Sequence, residues 1–149
     1  MTSSSTLGLL GLGVLAGALI SVQSVLNASL GTRTGVMGSL LALTIVSLVV
    51  LIAAVLVFPS SANLRELPGP SQWYLYVGGV LGVIILASTI FLVPKLGSAA
   101  TFTAIIVGQL TLAVIVDHFG LLSVLKVEIS LVRVIGIALV TVGAYLVVR

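Results

Sequence analysis

The sequence has no cysteine, and its 149 residues include only six basic and three acidic side chains. The lack of cysteine excludes disulfide bonds and thiolate metal sites. A soluble domain has about 25% charged residues, whereas this chain has 6% and therefore cannot cover a water-facing surface. Long stretches of the chain also contain no charged residue, for example the stretch between Arg33 and Arg65. Because about 20 apolar residues suffice to cross a bilayer as a helix, the sequence predicts a multi-pass integral membrane protein.

Five apolar runs are long enough to be membrane helices, and they predict an all-α protein with one domain over residues 1–149. The expected spans are residues 7–30, 37–58, 73–93, 99–116 and 131–148, with ends uncertain by a few residues. Pro59 stops the second span, and Pro68 and Pro70 forbid a continuous helix in the connection that follows. Residues 119–130 fit either a short interfacial helix or an extension of the fifth span.

A few uncharged polar side chains interrupt the apolar spans. Gln23 and Asn27 lie one helical turn apart in the first span with Ser24 beside them, and Gln109 lies in the fourth. In hydrocarbon such amides need partners on other helices or in a water-filled cavity. One interpretation is that they only hold helices together. The other, favoured by three amides in two spans, is a shared solute-binding cavity lined by Gln23, Ser24, Asn27 and Gln109.

Asp117 ends the fourth span and is the one carboxylate expected near the mouth of such a cavity. It is a candidate for coupling transport to protons, and the alternative is an ordinary solvated carboxylate at the membrane surface. Glu66 and Glu128 fall in connections between spans.

Several kinds of chemistry have no residues to support them. No charged side chain lies deep within a span, and there is no nucleophile–base pair, metal-ligand cluster or phosphate-binding loop. We therefore expect no enzyme activity, no cofactor and no metal. The net charge of +3 lies mostly beside the spans, so it indicates topology rather than nucleic-acid binding.

Three segments resemble a known family. "GALISVQSVLNASLG" in the first span, "VPKLGSAATFTAIIVGQ" across the third and fourth, and "DHFG" at the end of the fourth are similar to YdcZ-like proteins. These are bacterial membrane proteins of about five helices in the drug/metabolite transporter superfamily. The resemblance covers nearly the whole chain. It implies a bacterial inner-membrane location and half of a ten-helix transporter fold, but no particular substrate.

The residues and the resemblance together favour a secondary transporter for a small organic solute, with the lipid bilayer as its surroundings. Without a deep carboxylate, a neutral or zwitterionic solute suits the site better than a lipophilic cation. A non-transporting membrane subunit and a small multidrug-type exporter are the alternatives.

The charges outside the spans predict how the chain assembles. Five spans put Arg65, Lys126 and Arg133 on one side of the membrane, and Arg33, Lys95 and Arg149 on the other. This balance gives almost no preferred orientation by the positive-inside rule. A chain that inserts both ways can form an antiparallel homodimer, as related transporters join two oppositely oriented halves. A monomer or parallel dimer is the alternative.

Overall fold

The structure is a computed structural model that describes residues 3–121 and 126–149. Within them the chain forms four α-helices and three short 3-10 helices, with no strand. The α-helices are α1 (Ser3–Val57), α2 (Val77–Leu96), α3 (Ser98–Phe119) and α4 (Leu131–Val148), and the 3-10 helices are Pro59–Ser61, Leu64–Glu66 and Pro70–Tyr76. Every α-helix is long and apolar enough to cross a membrane, which suits a solvent where the backbone must satisfy its own hydrogen bonds. The predicted all-α membrane fold is confirmed.

Helix α1 is two helices joined at a sharp kink. Gly35 has φ 74° and ψ 164°, a conformation that is essentially restricted to glycine. The Ser39 hydroxyl donates to the Asn27 carbonyl oxygen at 2.8 Å, although the two residues are 12 positions apart. In a straight helix they would be separated by about 18 Å. The chain therefore folds back at Gly35, and the first arm (residues 3–34) and second arm (residues 36–57) make the first two of five helical segments.

A tightly packed junction lies beside this kink, where Gly31 of the first arm is close to Ile90 of α2 and to Ser39 of the second arm. Ser39 is fully buried, and Ala28, Leu40 and Ile90 are at most 6% exposed. A Cβ atom added to Gly31 would overlap Ile90 Cγ2 and would lie 3.7 Å from Ser39 Cβ. Small residues thus let the helices approach closely at this point, as is typical of membrane helix packing.

The third predicted span begins in the structure as a 3-10 helix, and the apolar helical stretch runs over Pro70–Leu96. Trp73 lies in the 3-10 helix Pro70–Tyr76, and regular α-helix begins at Val77. The Tyr76 hydroxyl donates to the Pro68 carbonyl at 2.8 Å, which ties this segment back to the preceding loop. The helix then continues through Pro94 to Leu96, a little beyond the expected end at residue 93, although Pro94 has no N–H to donate to the carbonyl four residues earlier.

The chain divides into two compact units, Met1–Lys95 and Leu96–Arg149. In the second unit, α3 and α4 pack on each other. Helix α3 extends past the expected end at residue 116 to Phe119 and is capped by Gly120 in the left-handed conformation. Residues 126–130 are not helical, whereas residues 122–125 lie outside the described part. The Val127 amide donates to the Asp117 carbonyl at 2.9 Å and holds the returning chain against α3.

The close contact at Gly31 gives a stability prediction. We expect Gly31→Ala to destabilise the protein by about 1–3 kcal/mol, because Ile90 is buried and its branched side chain is stiff. The matched control is Gly11→Ala, where an added Cβ meets nothing within 4 Å and where alanine favours the helix. Thermal unfolding of both variants in detergent measures the difference. Equal stability of the two variants would contradict the packing described for Gly31.

Candidate functional site

Gln23 lies on an open, mostly apolar groove of the first arm. The groove has a volume of about 460 Å³ and is lined by Leu19, Ile20, Val22, Gln23 and Leu26. Gln23 is the single polar side chain of this lining, and it is exposed. All of the lining residues belong to one helix, so the groove is a shallow depression that leaves one side open. The groove therefore offers apolar contact with one hydrogen-bonding amide.

Asn27 lies one turn further along the same arm in a different environment. Its side chain is half-buried, and its Nδ2 atom is covered yet has no hydrogen-bond partner among the described residues. A buried donor without an acceptor costs about 1–3 kcal/mol. Ser24, on the same face, is only 4% exposed. The amides of Gln23 and Asn27 are thus neighbours in sequence, but one is open and the other covered.

Gln109 belongs to the second unit, within α3. Its side chain is exposed, and the adjacent Gly108 leaves the helix surface open, since an added Cβ would meet nothing within 4 Å. An exposed amide in the middle of a membrane helix requires a partner outside its own helix. Gln109 therefore shares with Gln23 an uncovered amide on an apolar helix.

Asp117 forms an ion pair that the sequence interpretation did not identify. Its Oδ2 lies 3.2 Å from Nη1 of Arg133, and the two side chains are 27% and 34% exposed, respectively. The pair links the end of α3 to the beginning of α4. Nearby, His118 Nδ1 accepts a hydrogen bond from the Ile129 amide at 3.4 Å. In the sequence, the one feature that pointed to Arg133 was its position near the start of the fifth span, where a cation at the membrane surface is common.

The chemistry available at these positions is hydrogen bonding without deep charge. Gln23, Asn27 and Gln109 provide amides, Ser24 provides a hydroxyl, and the ion pair lies at helix ends. Within residues 3–121 and 126–149, no three metal-ligating side chains come together. Each of these side chains, taken singly, can donate a hydrogen bond to a polar group or accept one from it.

One of the three comparisons with known proteins finds a match. Residues 8–146 match the model of the family described as "Putative inner membrane exporter, YdcZ". No curated protein and no solved structure matches the chain.

Proposed function

Because the chain belongs to the YdcZ family of inner membrane exporters, we propose that it is a secondary transporter for a small organic solute. The family makes it a multi-pass protein of the inner membrane and a membrane transporter in general terms. Our proposal adds that Gln23, Ser24, Asn27 and Gln109 bind the solute by hydrogen bonds. The observation that carries it is the exposed Gln23 amide in an open groove of a membrane helix.

We further propose that two copies assemble in opposite orientations and exchange two conformations to give alternating access. Four glycines support this assembly: an added Cβ would meet nothing within 4 Å at Gly13, Gly17, Gly78 and Gly82. Such open small-residue faces allow close contact with another helix. The groove at Gln23 is also open on one side, and a second copy would complete it.

Transport of a defined solute tests the proposal. We expect liposomes containing the purified protein to exchange at least one member of a panel of neutral and zwitterionic metabolites, and Gln23→Leu and Gln109→Leu to slow this exchange about tenfold or more. The slowing is expected because each leucine removes a hydrogen bond and leaves the polar solute group unpaired. No movement of any solute, together with stoichiometric co-purification of another membrane protein, would favour the non-transporting subunit.

The absence of cysteine gives this experiment a second readout. Single-cysteine variants at positions 23 and 109 should react with a charged, water-soluble methanethiosulfonate, since a solute path contains water. The matched controls are Val14→Cys and Leu112→Cys, which are exposed apolar positions on the same helices and should react slowly in lipid. Equal, slow labelling at all four positions would contradict a water-filled path.

Asp117 is the proposed proton-coupling residue, and its pairing with Arg133 makes the expectation specific. A proton that binds Asp117 must weaken the contact with Arg133. We expect Asp117→Asn to abolish uptake driven by a pH gradient while leaving solute exchange largely intact. Glu128→Gln, an exposed carboxylate outside the helices, is the control. Unchanged pH dependence in Asp117→Asn would favour facilitated diffusion or another coupling ion.

Membrane orientation tests the antiparallel homodimer. Topology reporters fused to the C-terminus should give signal from both sides of the membrane, because the flanking charges are balanced. Adding two lysines next to Arg149 should shift this distribution to one orientation and reduce transport. Strictly one-sided signal from an active protein would rule out the antiparallel homodimer.

A further inference from the structure

The covered Asn27 amide nitrogen contributes no hydrogen bond to the packing of the first unit. It makes no hydrogen bond within the described residues, so it does not join two helices there. Buried polar groups are nearly always paired, and each exception requires an explanation. The amide remains a donor without an acceptor next to the tightest helix junction of this unit.

The main chain of the same residue is held firmly. Ser39, fully buried at the start of the second arm, donates to the Asn27 carbonyl oxygen at 2.8 Å. This contact crosses the kink at Gly35 and fixes the position of Asn27 relative to the second arm. The backbone of Asn27 is thus placed by a specific contact, while its side-chain donor is left unused.

We propose that the Asn27 amide is the donor that recognises an oxygen acceptor of the solute, a carboxylate or carbonyl oxygen, and that Ser39 is the positioning residue that holds it. This inference rests on the proposed transport function and specifies its substrate class. An amide N–H requires a lone pair, so a lipophilic cation without an oxygen acceptor does not satisfy it.

Because Nδ2 is covered, the hydrogen bond between Asn27 and the solute must form in a different conformation of the protein. A solute cannot reach the nitrogen in the conformation described, so the oxygen must arrive in a second conformation in which the cover has moved. A ligand shifts a conformational equilibrium only through its differential affinity for the two states. The hydrogen bond made in one state and missing in the other supplies such a difference.

Stability without solute is the first test. If the amide is unused, Asn27→Leu removes a buried unpaired donor, and the melting temperature of the full chain in detergent should stay the same or rise by about 2–4 °C. Gln23→Leu, one turn away and exposed, should leave it unchanged. A fall after Asn27→Leu as large as that caused by Ser39→Ala would show that the amide holds helices together, and would overturn the inference.

Exchange in liposomes, measured against protein-free liposomes, is the second test. Alanine, proline and acetamide serve as neutral or zwitterionic probes with a carboxylate or carbonyl oxygen, and tetraphenylphosphonium serves as a probe without oxygen. We expect wild-type protein to exchange an oxygen-bearing probe, and Asn27→Leu to reduce this at least tenfold. Ser39→Ala should raise the half-saturating concentration several-fold with less effect on the maximal rate. The matched control is Ser88→Ala, because the Ser88 hydroxyl donates to the Ile84 carbonyl within its own helix.

The outcomes separate this inference from the proposed function. Exchange that is equal in wild type and Asn27→Leu would overturn the inference while leaving transport standing, as would carriage of tetraphenylphosphonium alone. A protein that moves no probe, and that melts at a lower temperature after Asn27→Leu, would overturn both.

Discussion

The hydrogen bond from Ser39 to the Asn27 carbonyl determines how the first unit is built. It joins the two arms of α1 across Gly35, and the close approach of Gly31 to Ile90 lies beside it. A hydroxyl of this kind is worth more in a dry junction than at a wet surface, because its loss leaves a buried group unpaired. The contact therefore sets the register of the arms, and the environment of the Asn27 side chain follows from it.

The scarcity of charge restricts what this protein can recognise. Charged side chains are confined to helix ends and connections, where Asp117 and Arg133 pair at 3.2 Å. Within the apolar helices the polar groups are amides and hydroxyls, which bind by directed hydrogen bonds and contribute little long-range field. Such groups discriminate well between solutes that carry a matching acceptor and those that lack it. A composition with so few charged residues thus favours selection of a solute by hydrogen bonds over selection by charge.

The helices and their approximate ends could be predicted from the sequence, because hydrophobic length must match the bilayer and proline marks several boundaries. The connection expected at residues 31–36 is reduced in the structure to a kink at Gly35, because its positive φ turns the chain back without a separate loop. The contacts that shape the site could not be predicted from the sequence. Ser39 bonds to Asn27 and Arg133 bonds to Asp117, and helical periodicity does not predict contacts between residues 12 or 16 positions apart. The sequence placed Gln23 and Asn27 on one face, but only packing makes one amide open and the other covered.

The amides divide into two kinds with different physical requirements. Gln23 and Gln109 are exposed on apolar helices, so their donors and acceptors need water, solute or another chain to avoid a costly contact with lipid. The Nδ2 atom of Asn27 is already covered by the protein, so the cost of its missing partner is borne within the fold. An exposed amide favours contact with another chain or with a water-filled path in every conformation. A covered amide can bind a partner only when the helices around it move. A transporter needs both: a path that stays polar, and a contact whose making and breaking accompanies the change of conformation.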